Sequence, residues 1–309
     1  SAMWPNTSGQ YNTAVGSNSM GAASTGSNNT AVGRHSMVAN TTGSNNTSMG
    51  INNLGSNTTG SQNVSIGQET LYSATTADKN TAVGAQAMFY TTTGTYNTAI
   101  GYDSMQDNTT GGNNVAVGTF SLDKNTTGGN NIAIGYEAMS GNTTADKNVA
   151  IGTQALEDSN AQSNVAIGYQ ALMNNTSGDG SIAIGKGCLV TATTGRINVM
   201  VGADGMSSLT SGQYNTGIGY ECGNQITDGS NNVLLGFYAG RSQGNISNNL
   251  WIARDSVGAG NAAVWIHGNS GGSCFQGNNS TSWSQTSDER LKKDIVDNNV
   301  GLSIINNIK

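Results

Sequence analysis

Asn97-Thr98-Ala99-Ile100-Gly101 decides the fold of this chain, because the sequence repeats variants of this pentapeptide at a fixed interval. The close copies are NTAVG at 12–16 and 29–33, NVAVG at 114–118, NIAIG at 131–135 and NVAIG at 148–152. The closing glycine recurs every 17 residues from Gly16 to Gly152. The next step, to Gly168, is 16 residues, and the interval of 17 then resumes as far as Gly236. A fixed period of this length predicts a solenoid, in which each repeat contacts only its neighbours.

The residues before the closing glycine alternate as a β-strand does, as in Val115, Ala116 and Val117. The outer two places of this triplet are apolar or β-branched and the middle one is small, which predicts a strand with both faces buried. We expect the large residues to fill the interior and the alanine face to pack on another subunit. The opposite assignment, with alanines inside and valine and isoleucine between subunits, stays open. Asparagine precedes the strand in every copy but one, where Ser181 replaces it, and this column predicts an amide ladder.

The rest of the repeat predicts a second, shorter extended piece and two turns. Thr110-Gly111 and Thr127-Gly128 lie seven places before closing glycines, where we expect turns with positive φ. Seventeen residues span ~56 Å when extended, which is enough for one lap of a flat, two-walled roll. The alternative is a three-walled β-helix built from hexapeptides, which favours about 18 residues per lap.

The composition fits a solenoid and excludes several other classes of protein. Hydrophobic residues make up 35% and charged residues 10% of the chain, and the net charge is only −6. No basic patch suggests a nucleic-acid partner, and no apolar run approaches the ~20 residues of a membrane span. No Cys/His spacing suits zinc, and the repeats of calcium-binding β-rolls are missing, so we expect neither a metal nor a cofactor.

Three cysteines are present, and two of them share a repeat column. Cys188 and Cys222 lie two repeats apart, or ~9.6 Å in a stack of strands, whereas a disulfide needs Cα atoms within ~7 Å. We therefore expect two small buried thiols. The pattern then changes toward the C-terminus, where Leu234 enters the small column while Gly223 and Gly240 replace the usual methionine or leucine. This exchange predicts a different cross-section where the roll ends.

Four segments follow from these patterns. They are a cloning scar at 1–3, the repeat β-roll at 4–257, a Gly/Ser/Asn-rich transition at 258–286 and a charged, α-helical start of a further domain at 287–309. Trp4, Pro5 and Tyr11 are placed to cover the first edge of the roll. Residues 263–268 have the pattern of a last strand.

The repeat resembles the head of trimeric autotransporter adhesins over about residues 9–257. This resemblance implies an all-β, left-handed parallel β-roll solenoid of about 15 seventeen-residue repeats, a homotrimer, and adhesion. No membrane-anchor barrel follows the repeats, which argues against a bacterial outer-membrane protein.

The segment Ser287-Asp288-Glu289-Arg290-Leu291-Lys292 resembles the start of the endosialidase-type intramolecular chaperone. That domain lies at the C-terminus of phage tail spikes and fibres, where it assembles the trimer and then cuts itself off. The resemblance implies that Ser287 is the nucleophile, with the cut after it, and that Lys292 is its base. Asp288 and Arg290 match the other fixed positions. The family's domain continues well beyond the length available here, so we expect this chain to be truncated and inactive in self-cleavage.

These resemblances predict a structural segment of a trimeric tail fibre or spike of a virion, extracellular after release, that attaches to a host surface receptor. Tyr102, Tyr136 and Tyr169 each follow a closing glycine. They are candidate contacts for the receptor, such as a glycan, or alternatively rings that stack along the rod and cover the strand edge. A bacterial adhesin head is the alternative origin.

An enzyme that degrades glycans is the competing class. It needs two carboxylates at matched spacing, and we expect no column or cluster among the acidic residues of the roll. These are Glu69, Asp103, Glu137, Glu157, Asp158, Asp204 and Glu221. Ice or mineral binding by the threonine pairs is disfavoured, because adjacent residues of a strand point to opposite sides.

Overall fold

Fifteen short parallel strands, one in each repeat, are present in a computed structural model that describes residues 2, 6–22, 24–242, 244–254 and 264–276. The strands are β1 (Thr13–Val15), β2 (Thr30–Val32), β3 (Thr47–Met49), β4 (Val64–Ile66), β5 (Thr81–Val83), β6 (Thr98–Ile100), β7 (Val115–Val117), β8 (Ile132–Ile134), β9 (Val149–Ile151), β10 (Val165–Ile167), β11 (Ile182–Ile184), β12 (Val199–Val201), β13 (Thr216–Ile218), β14 (Val233–Leu235) and β15 (Leu250–Ala253). Each pairs in register with the next, so that Ala133 lies between Ala116 and Ala150. The described chain is therefore an all-β parallel solenoid of about 14 turns, without a helix. Its left-handed sense stays a prediction.

The second extended piece predicted for each repeat is not a strand in the described turns. Backbone hydrogen bonds still join neighbouring turns there, as from the Met105 N–H to the Ser121 carbonyl at 3.0 Å. The extended geometry is interrupted because Asp103, Met105 and Asn113 adopt φ angles of 51°, 54° and 60°. Equivalent places in most other turns are also left-handed. One wall of the solenoid is thus a sheet, and the other is a stack of turns.

The core lies between the alanine face of the strands and the methionine and leucine column of the opposite wall. Ala116, Ala133, Met105 and Leu122 are all fully buried, whereas Ile134 on the other strand face is 37% exposed. Our prediction that the large strand residues fill the interior is therefore wrong, and the opposite assignment, with the alanines inside, is the one observed. The interior is already filled from the opposite wall, so only a small side chain fits on the strand face beneath it.

The two glycine columns differ in backbone conformation. The closing glycines have positive φ, as at Gly135 with +137°, but Gly111 and Gly128 do not, contrary to our prediction. A Cβ on Gly111 would overlap the Gly128 carbonyl oxygen of the next turn. Glycine is needed there because the backbones of successive turns approach so closely.

The predicted asparagine ladder is confirmed, and it includes the backbone. The amide oxygen of Asn80 accepts a 2.9 Å hydrogen bond from the Asn97 N–H, and the Asn80 N–H donates to the Asn63 side chain at 3.0 Å. The Asn80 side-chain amide also donates to the Gly94 carbonyl at 2.8 Å. Asn80 therefore ties three successive turns together, and the same bond from an N–H to an asparagine oxygen recurs along the column, as from Asn114 to Asn97.

The exchange of volume near the C-terminus agrees with the prediction. Leu234 is fully buried, and a Cβ on Gly223 would lie 2.7 Å from its Cδ1 atom. The larger residue on the sheet wall thus fills space vacated by the methionine column. Cys188 and Cys222 are free and buried, as predicted, and burial raises the pKa of both thiols to about 12.

The parallel stack ends at β15, which pairs in antiparallel fashion with β16 (Val264–Gly268). This strand pairs in turn with β17 (Cys274–Gln276), so a hairpin follows the last turn. The predicted strand at 263–268 is confirmed in its extent from 264 to 268. Trp4, Pro5 and the helical segment predicted at 287–309 lie outside the described residues, and Tyr11 is 81% exposed.

Candidate functional site

The structure describes the residues predicted for receptor contact, but not those predicted for self-cleavage. Ser287, Asp288, Arg290 and Lys292 lie outside the described residues. The three candidate tyrosines lie on the turn wall, next to the closing glycines, and are 47–49% exposed. Their side chains point outward at the corner where each strand ends. We call Tyr102, Tyr136 and Tyr169 the tyrosine row.

Ring packing along the rod, which was the alternative interpretation, occurs in part of the row. Phe120 packs edge to face against Tyr102 at 5.7 Å and against Tyr136 at 6.2 Å between ring centroids. Phe120 is half-buried between two turns. Sequence reasoning missed it because it lies one place beyond the tyrosine column. The packing holds the tyrosine rings in place and leaves about half of each one open to solvent.

Carboxylates accompany two of the three tyrosines. The neighbouring carboxylate of Asp103 raises the pKa of Tyr102, chiefly by its charge and also through a hydrogen bond. A hydrogen bond to Glu137 likewise raises the pKa of Tyr136. The same pairing recurs farther along the rod, where a hydrogen bond to Glu221 raises the pKa of Tyr220.

Glutamine side chains form hydrogen bonds with these carboxylates and with one another. The Gln106 side chain donates to Asp103 at 2.9 Å, and that of Gln154 donates to Glu137 at 3.1 Å. The Gln170 amide then donates to the Gln154 oxygen at 2.9 Å. The tyrosine row therefore runs beside a polar line of carboxylates and amides, made of two hydrogen-bonded groups with Phe120 between them.

The expectation that the acidic residues share no column or cluster is wrong. Five of them occupy the second place after a closing glycine; they are Glu69, Asp103, Glu137, Asp204 and Glu221. Burial raises the pKa of Glu157, and the nearby charges of Asp158 and Glu137 raise it further. The column was missed because its acidic members are separated by turns that carry glutamine, phenylalanine or glycine.

Asp123, on the same wall, is the most perturbed of these carboxyls. It is half-buried, and its Oδ1 atom has no hydrogen-bond partner. Burial raises its pKa from 3.8 to about 6, with a smaller contribution from the charge of Asp107, while Lys124 acts in the opposite direction. At neutral pH the chain therefore holds a charge that is poorly solvated.

We expect the substitution Asp123→Asn to raise the melting temperature at pH 8 and to have little effect near pH 4. The pKa of Asp123 is higher in the folded state than in the unfolded state. The ionised form therefore destabilises the fold above pH ~6, and this penalty disappears below the unfolded value of ~3.9. Thermal unfolding followed by circular dichroism at both pH values measures the difference. Asp158→Asn, at an exposed carboxyl, is the control; an Asp123→Asn effect that does not change with pH would contradict the assignment.

Neither a metal centre nor a membrane span is found in the part of the chain that the structure describes. No group of three or more His, Cys, Asp or Glu side chains there is arranged to hold a metal ion. Among the same residues, no helix has the length and apolar character needed to cross a bilayer.

Comparison of this chain with protein-family models, with curated protein sequences and with solved structures returned no match.

Proposed function

We propose that this chain is a rigid structural segment of a homotrimeric, left-handed fibre or spike of a virion, and that it serves in attachment to a host surface receptor. The observation that carries the proposal is the outer face of the sheet. Its two columns run through all fifteen strands and contain only threonine, valine, isoleucine, leucine and methionine. We call this surface the β-branched stripe. Ile100, Ile134 and Ile184 on it are 37–42% exposed.

The size of the stripe supports burial by further copies of the chain. Fifteen strands of about three residues give a surface roughly 65 Å long and 10 Å wide, on the order of 650 Å². Soluble monomers rarely expose a continuous apolar patch larger than a few hundred Å². A stable interface typically covers ~800 Å² on each partner, so the stripe has about the area that association needs.

A second copy suits this surface better than a partner with a charged or irregular surface. The stripe carries no charged side chain, and it is as straight and regular as the sheet itself. Three parallel rods around one axis bury all three stripes in a closed arrangement. The number three comes from the resemblance of the repeat to trimeric adhesin heads, and the viral setting from the resemblance at Ser287. Self-cleavage with Ser287 and Lys292 stays a prediction.

We expect light scattering of the purified chain to give about three times 31.5 kDa. The double variant Ile134→Asp/Ile151→Asp places charges on the stripe and should give a monomer of this mass, because burying unpaired carboxylates is costly. Ile197→Asp is the matched control, since Ile197 is 48% exposed but lies outside the strands. A monomeric parent would overturn the proposal, and a dimer would overturn the number three.

A further inference from the structure

The tyrosine row has a regular spacing along the rod. Tyr102, Tyr136 and Tyr169 occupy alternate turns, and Thr119 and Thr153 occupy the same place in the turns between them. With ~4.8 Å between stacked strands, the rings recur about every 9.6 Å along a straight line. All three are about half exposed, and two are held by Phe120.

We infer that the tyrosine row binds an extended, uncharged, β-1,4-linked polysaccharide that lies along the rod axis. This inference rests on the proposed attachment function and names the receptor class. Successive sugars of such a chain are rotated by half a turn, so one sugar face recurs only once per disaccharide. The length of that disaccharide is close to two strand spacings, so every second sugar can place its C–H face on a tyrosine ring.

The polar line beside the rings supplies the hydrogen-bonding groups that sugar hydroxyls need. Asp103 and Glu137 accept hydrogen bonds, and the amides of Gln154 and Gln170 both donate and accept. The exposed aromatic rings offer apolar faces with a polar edge, as suits a ligand with C–H faces and hydroxyl rims.

Charge complementarity decides between neutral and acidic polysaccharides. Glu157 and Asp158 add to the carboxylates of the polar line on this wall, and Lys124 is the cation that acts on Asp123 and Glu157. A chain of uronic acids would bring further negative charges against this surface and be repelled. The ligand class is therefore a neutral chain of glucose or N-acetylglucosamine type.

The test measures binding of cellohexaose and of chitohexaose to the intact chain by calorimetry. Carboxymethylcellulose, which has the same backbone with added negative charge, and the α-linked dextran serve as ligand controls. We expect at least one of the two neutral β-linked hexasaccharides to bind, and neither control polymer. Tyr136→Ala and Tyr169→Ala should each weaken binding about tenfold. Tyr214→Ala should leave it unchanged, because Tyr214 is equally exposed but lies in another column.

A deletion of residues 138–154 tests the spacing itself. It removes one 17-residue repeat and joins Glu137 to Ala155, so that Tyr136 and Tyr169 lie on adjacent turns. Binding should fall as much as in Tyr169→Ala although both rings remain. Unchanged binding by the deletion variant or by the tyrosine variants would overturn the inference.

Two further outcomes separate this inference from the proposed function. A trimeric parent that binds neither hexasaccharide overturns the inference alone. A monomeric parent overturns the proposed trimer, whatever the binding experiment gives.

Discussion

Replacement of Gly135 by alanine is expected to lower the free energy of unfolding by about 2–6 kcal/mol. The backbone of Gly135 has φ +137°, a region that residues with a Cβ rarely adopt at a cost of ~1–3 kcal/mol. The new Cβ would also lie 2.5 Å from the Gly152 carbonyl oxygen and 2.6 Å from its carbon. Both atoms belong to the backbone of the next turn, so relief requires the turns to separate, with a similar cost from overpacking. Urea unfolding followed by circular dichroism measures the loss.

Gly180→Asn is the matched control for this experiment. Gly180 also has positive φ, at +70°, but a Cβ there would meet only the Ile197 side chain at an ordinary 3.6 Å. Asn113 and Lys147 occupy the same column with φ near 60°. We expect a change within ~0.5 kcal/mol. Equal losses in the two glycine variants would show that the close approach at Gly135 is unimportant.

The end of the solenoid agrees with this requirement for glycine. Ala253 stands where the closing glycine of the last copy belongs. It is not among the described residues with positive φ, and the register of β15 and β16 shifts between Ile252 and Ala253. The neighbouring strand there is antiparallel rather than another solenoid strand. Alanine at this place therefore coincides with the end of parallel stacking.

The period of the sequence was sufficient to predict the strands, their register and the asparagine ladder. Each of these depends on which residue recurs after 17 positions. The sequence shows this recurrence directly, without any knowledge of how the opposite wall packs. The side of the strand that faces the core could not be read in the same way. It depends on the interior volume that Met105 and its equivalents fill from the opposite wall. The alternation of large and small residues along a strand is the same whether the alanines face the core or the outside.

The backbone conformation of the turns also could not be predicted from the sequence. Asp103, Met105 and Asn113 adopt left-handed φ without being glycine, and Met105 does not belong to a residue type that favours this conformation. The tyrosine row was predicted, since its members recur in one column. Phe120 was not, because its contact with Tyr102 joins different columns of neighbouring turns. The carboxylate column was not, because turns with other residues separate its acidic members.

Replacement of Asn80 by alanine is the second change for which we expect a large loss, about 2–6 kcal/mol. Asn80 is fully buried, and its side chain serves the Asn97 N–H and the Gly94 carbonyl. Alanine would remove both partners and leave these backbone groups buried without them, at ~1–3 kcal/mol each. The loss is measured by urea unfolding of the two proteins under identical conditions.

Asn80→Ser should destabilise the chain by a smaller amount, because a natural serine already occupies this column. The hydroxyl of Ser181 accepts a 3.2 Å hydrogen bond from the Asn198 N–H, so a serine can replace the amide oxygen as acceptor. It is too short to replace the amide as donor to a carbonyl in the next turn. Thr93→Ala, at an exposed residue of the same turn, controls for truncation alone. The expected order of loss is therefore alanine at 80, then serine at 80, then alanine at 93. Equal stability of the two variants at position 80 would contradict this account. It would mean that the hydrogen bond from the Asn97 N–H to the side-chain oxygen of residue 80 does not stabilise the fold.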